Sequence, residues 1–430
     1  MSFFNNFIKK KFVSDSIITI GSHIFIGASG LIVNSIIGIN YNAYGLGIFS
    51  QCVSIYFVLS ILANFGIETS TQKHTAQFQN DNDKLKIIFV NSLFTTLIIS
   101  IIVTITFYIF LFMKLTSFIS VEIIKFLQIL CISTPFFAIN KTINSFNVGL
   151  RKMNIYSIVR STRWLMIVIG ILIIMLLKNP ITSIPKIFIF TELCISSYLI
   201  IINRRYFGKI YTSEIKLHLT YGTKNMIGNF SNEFNLRMPI VIVGYILGNI
   251  EAGFFAYVLS FARAIVLIPQ AIQKNFNPVF TKNWFDNKHK KNERNIMRVF
   301  KHCLISLIPA FLILYVFFII YTSLLMPPEY LSLYPILLIL LFGMATIYLF
   351  GPFMTFLVMT DYLYINILRI VIPCILNILV ILLFIKEYGN MGVALAGTIS
   401  LIYHLFLMNY LYKRFLNIDL FNLTIFSMNK

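Results

Sequence analysis

Apolar residues follow one another along this chain in blocks of roughly 20, separated by short polar segments. A helix that rises about 1.5 Å per residue needs about 20 residues to cross a hydrocarbon core about 30 Å thick. Helices also satisfy their own backbone hydrogen bonds, as lipid requires. The pattern therefore predicts about twelve transmembrane helices, near residues 17–38, 46–66, 87–112, 123–148, 157–177, 184–202, 225–247, 253–274, 299–321, 332–357, 364–385 and 391–411.

The composition supports this interpretation. Hydrophobic residues make up 58% of the 430 residues, and charged residues only 12%. A soluble domain with this balance would lack the polar side chains that cover a surface in water. The net charge of +20 does not indicate nucleic acid, because the basic residues lie mainly between the apolar blocks. We therefore expect an all-α, polytopic membrane protein.

The distribution of Lys and Arg predicts the orientation of the chain. With the N-terminus in the cytoplasm, 26 of the 35 basic residues, Arg163 among them, fall in cytoplasmic segments. The external loops then hold only Lys114, Lys125, Lys178, Lys186 and Lys386. This asymmetry predicts cytoplasmic termini and a place in the cell inner (plasma) membrane. The external loops are also too short to fold into an enzyme domain, which argues against a glycosyltransferase or a polymerase.

Two short sequence matches between the halves of the chain suggest that a set of six helices is repeated. Gly47 at the entry to predicted helix 2 corresponds to Gly253, 206 residues later, and Tyr156 corresponds to Tyr364, 208 residues later. Because six is even, both halves have the same orientation, and the substrate path is expected between them. The predicted domains are an N-terminal lobe (1–207), a cytoplasmic linker (208–224), a C-terminal lobe (225–412) and a cytoplasmic tail (413–430).

After the cytoplasmic and external residues are assigned, four basic residues remain, and all fall inside the predicted spans: Lys141, Arg237, Arg263 and Arg369. At membrane depth each costs at least about 2.5–3.5 kcal/mol, so each implies a wet cavity, a partner or snorkelling. Arg237 and Arg263 lie deepest and are candidates for a cationic, substrate-binding cavity. Lys141 is a third candidate because it lies among asparagines on predicted helix 4. Arg369 is close to a helix end and is expected to snorkel to the surface.

Two acidic residues are candidates for coupling or pairing. Glu233 precedes Arg237 by one helical turn, so the two form either a functional site or a structural pair. Glu192 lies in the middle of predicted helix 6 and is a candidate for proton coupling. The five cysteines occur singly, and no phosphate-binding glycine loop, metal-ligand cluster or catalytic triad is present in the sequence. We therefore expect no cofactor, no metal and no enzymatic activity.

A basic cavity in an apolar bundle suits an amphiphile with a phosphate or diphosphate group. The planar fork of arginine binds two phosphate oxygens at once, while an apolar tail remains in lipid. A hydrophobic cation would instead require acidic residues at the bilayer midplane.

Several segments carry a resemblance to a known family. They are Tyr44-Gly45-Leu46-Gly47-Ile48-Phe49-Ser50-Gln51, Asn64-Phe65-Gly66-Ile67-Glu68, Gly149-Leu150-Arg151-Lys152, Ile268-Pro269, Asn277-Pro278 and Tyr388-Gly389-Asn390-Met391-Gly392-Val393-Ala394-Leu395-Ala396. Over nearly its whole length the chain resembles the polysaccharide flippases, the O-antigen (Wzx-type) translocases of the multidrug/oligosaccharidyl-lipid/polysaccharide exporter superfamily.

The resemblance implies two six-helix lobes around a cation-lined cavity that opens alternately to each side. It implies that an undecaprenyl-diphosphate-linked oligosaccharide is flipped to the periplasmic leaflet for O-antigen and lipopolysaccharide biosynthesis. A proton or sodium gradient would drive the cycle. Expected partners are membrane lipids, a polysaccharide polymerase and a chain-length regulator. Where many relatives carry an aspartate in helix 7, this chain has Met238-Pro239, so Glu233 or Glu192 would have to supply that acid.

Two other transporter classes remain as alternatives. A drug or metabolite antiporter of the same superfamily would need more acidic residues in the lobes. A peptidoglycan-precursor flippase would have two more helices.

Overall fold

The computed structural model describes residues 2–113, 120–360 and 362–424, so Lys114 of a predicted external loop lies outside the described residues. Within these ranges the chain is helical, with short 3-10 turns and no strand. The α-helices of these ranges are α1 (Ser2–Asn40), α2 (Asn42–Asn64), α3 (Ile67–Gln77), α4 (Asn82–Phe112), α5 (Val121–Leu130), α6 (Thr134–Gly149), α7 (Met153–Leu176), α8 (Ile184–Asn203), α9 (Thr212–Ile246), α10 (Asn249–Ala264), α11 (Leu267–Phe285), α12 (His289–Leu325), α13 (Tyr334–Phe350), α14 (Phe356–Met359), α15 (Leu363–Leu416) and α16 (Leu420–Thr424).

Among the described residues, ten helical segments are long and apolar enough to cross a membrane. Predicted helices 1 to 6 and 8 to 10 each coincide with one of these segments. Predicted helices 11 and 12 both fall within α15, and predicted helix 7 falls within α9, which is not among the ten. The difference between ten and twelve therefore comes from two places in the chain.

The first place is a break inside α15. Its 54 residues would span about 81 Å as one straight helix, far more than a hydrocarbon core about 30 Å thick. Gly389 interrupts it with φ 55° and ψ −137°, a conformation that residues with a Cβ rarely adopt. The part before Gly389 and the part after it correspond to predicted helices 11 and 12.

The second place is the polar helix α9. Its second half carries Glu233, Arg237 and several asparagines, which lower its hydropathy. Pro239 lies inside the same helix. Length and apolarity therefore do not identify α9 as a span, although it is 35 residues long.

The helix starts repeat along the chain. Helices α2, α4 and α5 begin at residues 42, 82 and 121, and helical segments begin again 207 residues later, at 249, 289 and 328.

The two glycines that match in the sequence repeat, Gly47 and Gly253, lie at a close contact between helices α2 and α10. A Cβ on Gly47 would lie 1.7 Å from the carbonyl oxygen of Asn249, and a Cβ on Gly253 would lie 2.0 Å from that of Ala43. Each glycine thus meets the residue four positions before the other.

The chain divides into two compact units. Unit 1 comprises residues up to Tyr41 and Ile48–Glu233, and unit 2 comprises Asn42–Gly47 and the chain from Phe234 onward. An aromatic and aliphatic core in unit 1 includes Leu85, Phe89 and Phe146. A core in unit 2 packs Phe280 flat against Phe356, with ring centroids 3.6 Å apart. The lobe and linker boundaries given by the sequence remain a prediction.

Candidate functional site

Two of the predicted cationic residues are connected in unit 2. Arg237 on α9 and Arg263 on α10 are both half-buried. Arg263 donates a hydrogen bond through Nη2 to the backbone carbonyl of Leu236, the residue directly before Arg237. Two arginine-bearing segments therefore meet where α10 contacts α9.

A proline and an asparagine lie in this part of α9. Pro239 has no N–H, so the carbonyl of Asn235 loses its usual helical donor. The side chain of Asn235 accepts a hydrogen bond from Asn377 on α15, at 2.7 Å. Contacts from α10 and α15 thus reach the two residues directly before Arg237, and they hold this part of α9 within unit 2.

A further contact joins α15 to the start of α10. Asn390, directly after the break at Gly389, donates to the Oε2 of Glu251 at 2.7 Å and to its backbone oxygen at 3.1 Å. Glu251 lies in the first turn of α10, where a negative charge is favourable. This contact fixes the far end of the helix that carries Arg263.

Lys141, the third predicted cation, is paired in unit 1. Its Nζ lies 2.7 Å from the Oε1 of Glu68, and the Glu68 side chain is 12% exposed. Asn140, Asn144 and Asn147, which share its helix, are buried. The polar stripe on α6 therefore faces protein, and Glu68 compensates the charge of Lys141.

Glu192 lies in a buried polar network of unit 1. Arg163 contacts both of its carboxylate oxygens, with Nε 2.7 Å from Oε1 and Nη2 3.0 Å from Oε2. Asn140 donates to Oε2 at 2.8 Å and to the backbone oxygen of Glu192 at 2.9 Å. Ser196 donates to Asn140 in turn, at 2.9 Å. This arrangement gives both carboxylate oxygens of Glu192 a partner.

Sequence reasoning assigned Arg163 to a cytoplasmic segment and so missed its role in this network. Arg163 lies well inside α7, and only 14% of its side chain is exposed. The feature of the sequence that could have indicated the role of Arg163 is Glu192 itself. A buried carboxylate requires a partner, and Arg163 is the cation near its depth on a neighbouring helix.

The other two intramembrane residues also have definite places. Glu233 is half-buried on α9 and is the last residue of unit 1. The expectation that Arg369 snorkels to the surface is wrong, because its side chain is buried. Its guanidinium bonds Asn366 at 2.9 and 3.0 Å and His404 at 2.5 Å. Polar partners inside unit 2 thus satisfy it where the sequence suggested water.

Comparisons with known proteins identify both a family and a fold. The family described as "Polysaccharide biosynthesis protein" matches residues 12–284. No curated protein matches the chain. The chain is similar in structure to an inward-facing multidrug resistance MATE family transporter of the MOP superfamily, with 13% identity, a TM-score of 0.71, and coverage of 93% of this chain and 97% of that one.

Two further structures agree. The eukaryotic MATE transporter AtDTX14 is 12% identical with a TM-score of 0.66, covering 96% of this chain and 97% of that one. The MATE multidrug transporter DinF-BH is 12% identical with a TM-score of 0.63, covering 96% of each chain. These identities establish the fold alone. The all-α, two-lobed fold class is thus confirmed, and the chain belongs to the family described as "Polysaccharide biosynthesis protein".

Proposed function

We propose that the protein is a flippase for an undecaprenyl-diphosphate-linked oligosaccharide repeat unit, which it moves from the cytoplasmic to the periplasmic leaflet for surface polysaccharide (O-antigen) biosynthesis. Membership of a polysaccharide biosynthesis family supports the substrate class. The observation that carries the proposal is the approach of Arg263 to the backbone beside Arg237. Two arginines at membrane depth suit a diphosphate, because each guanidinium binds two oxygens.

The charges in unit 1 also favour an anionic substrate. Glu68 is paired with Lys141, and Glu192 is paired with Arg163. A site for a hydrophobic cation needs a carboxylate that the cation itself neutralises. Both of these carboxylates already hold a side-chain cation. Glu68 compensates Lys141, and we assign the proposed binding mainly to Arg237 and Arg263, which lie deepest in the predicted spans.

The protein would work by alternating access, and a proton or sodium gradient would drive the transport cycle. Glu233 is the acid we assign to coupling, since it lies one turn from Arg237 on α9. The Oε2 of Glu192 accepts hydrogen bonds from Arg163 and Asn140, and its Oε1 lies 2.7 Å from the Nε of Arg163. A proton on Glu192 would have to displace the guanidinium, which makes it the weaker candidate.

A drug or metabolite antiporter is the second candidate, and the fold favours it, because similar solved structures are MATE transporters. The two candidates differ in what accumulates when the protein fails. A flippase leaves lipid-linked oligosaccharide in the cytoplasmic leaflet. An antiporter leaves that pool unchanged and alters the export of a soluble compound.

The test uses Arg237→Ala and Arg263→Ala in cells that make the polysaccharide. Both variants should reach the membrane at normal levels and lose surface polysaccharide, whereas Arg→Lys at each position should keep part of the activity because the charge remains. Lys186→Ala, an exposed lysine on α8, is the control for loss of one positive charge. Normal polysaccharide in both alanine variants would reject the cationic site.

A further inference from the structure

One face of α12 is exposed, and the other is packed into the protein. Asn292, Ile296, Phe300 and Cys303 lie on the buried face. That face contacts α11, α13 and α16. The residues three and four positions apart on the other side face outward, so α12 offers a continuous face to its surroundings.

The exposed face changes character along the helix. Its first turns carry four exposed cations at helical spacing, here called the basic row: Lys291, Arg294, Arg298 and Lys301. The same face continues in apolar residues, the apolar row: Ile305 (66% exposed), Ile308 (68%) and Leu312 (58%). The change from charge to hydrocarbon takes one helical turn, the distance from Lys301 to Ile305.

Hydrogen bonds hold the start of α12, which carries the basic row, against the end of α11. Asn283 at the end of α11 donates to Asn292 at 3.1 Å, and Asn292 donates to the backbone oxygen of Phe280 at 3.1 Å. Both asparagines are buried. The α11–α12 turn and the first turns of α12 line an open cavity of about 700 Å³, which Arg294 and Arg298 border. Three cations of the basic row, Lys291, Arg294 and Arg298, thus border a concave surface.

We propose that this face of α12 binds a membrane lipid with an anionic phosphate headgroup. The phosphate lies against the basic row, and the lipid chain lies along the apolar row. The positive charge of the basic row favours an anionic headgroup. The apolar row favours a lipid over a soluble phosphate, since only a lipid contacts both rows. The site is distinct from Arg237 and Arg263, and it does not depend on the flippase proposal.

The test compares full-length protein in nanodiscs of phosphatidylcholine with protein in nanodiscs that also contain phosphatidylglycerol, with bound lipid measured by native mass spectrometry. The variant neutralises the basic row: Lys291→Gln, Arg294→Gln, Arg298→Gln and Lys301→Gln. A control with the same change in charge carries Lys84→Gln, Lys86→Gln, Lys413→Gln and Arg414→Gln. The wild-type protein and the control should retain phosphatidylglycerol, and the row variant should lose at least about tenfold of that preference. Equal retention by both variants overturns the proposal.

A second measurement leaves every charge in place. A photoactivatable side chain at Ile305 should capture phosphatidylglycerol in preference to phosphatidylcholine, whereas the same group at Ile320, farther along α12 and 51% exposed, should show no preference. Inorganic diphosphate present in solution before and during irradiation should not prevent this capture. Capture without headgroup preference at Ile305, or complete loss of capture when diphosphate is present, contradicts a lipid site.

Discussion

Arg163 on α7 and Glu192 on α8 form a two-point ion pair inside unit 1, with Nε–Oε1 at 2.7 Å and Nη2–Oε2 at 3.0 Å. The Glu192 side chain is 1% exposed. Each charge satisfies the other where water does not reach. The pair therefore matters most when one member is removed, because the remaining charge is then buried without compensation.

Arg163→Met or Glu192→Leu alone should lower the free energy of unfolding by about 3–5 kcal/mol. The double variant should cost less than either single change, since no uncompensated charge is left. Thermal unfolding of the purified protein in detergent measures the three variants. The exposed pair Lys86–Asp83, at 3.1 Å, is the control and should be worth about 1 kcal/mol or less. Additive effects of the two single changes would mean that the pair is not coupled.

Gly253→Ala and Gly47→Ala should each destabilise the protein by about 1–3 kcal/mol or more, because the new Cβ would overlap a backbone carbonyl. Neither carbonyl can rotate away without moving its helix. Gly397→Ala, in a helical position with nothing within 4 Å of the new Cβ, is the matched control and should be neutral or slightly stabilising. The measurement is the detergent-solubilised melting temperature. Similar melting temperatures for all three variants would refute the close contact.

The first part of α9, in the predicted linker before the span, should make stability depend on pH through His218. Burial, and then the neighbouring His74, lower the pKa of His218 from 6.5 to about 4. Its Nδ1 and the Ser70 hydroxyl are hydrogen-bonded at 2.9 Å. The ring centroids of His74 and His218 are 6.1 Å apart. Protonation would therefore place a buried charge beside another basic group.

Because the pKa is lower in the folded state, the unfolded state binds the proton first as the pH falls. The full contribution is present above pH 6.5 and is lost between pH 6.5 and about 4, with a total of about 3 kcal/mol. His218→Asn removes the titration while keeping a polar side chain near Ser70. Its stability curve should be flatter by this amount over that range. Parallel curves for the two proteins would show that His218 does not titrate as described.

The helices were largely predictable because their signal is strong. Blocks of about 20 apolar residues have few interpretations other than transmembrane helices. The match between Gly47 and Gly253 indicated a repeat, and in the structure these two glycines lie at a close helix contact. The break in α15 was also predictable, since it falls at Gly389 between two apolar blocks. These features depend on local sequence and on the thickness of a bilayer.

The partners of buried charges were not predictable from the sequence. Arg163 lies in the first two turns of predicted helix 5, and its role as a buried partner appears only when Glu192 is placed beside it. Arg369 lies in a similar position but is buried by Asn366 and His404, the latter 35 residues away. Such pairs depend on which helices are neighbours in the fold. The spacing of residues along one helix does not give that information.

The central claim is that the protein moves a lipid-linked oligosaccharide between leaflets, and the most direct measurement is the leaflet of that lipid in cells with and without the protein. An impermeant sugar probe distinguishes the two pools. The proposal predicts that without the protein the lipid accumulates in the cytoplasmic leaflet and extracellular polysaccharide falls. Unchanged lipid pools would contradict the proposal and favour the antiporter, and a periplasmic pool left unpolymerised would contradict it in favour of a polymerase.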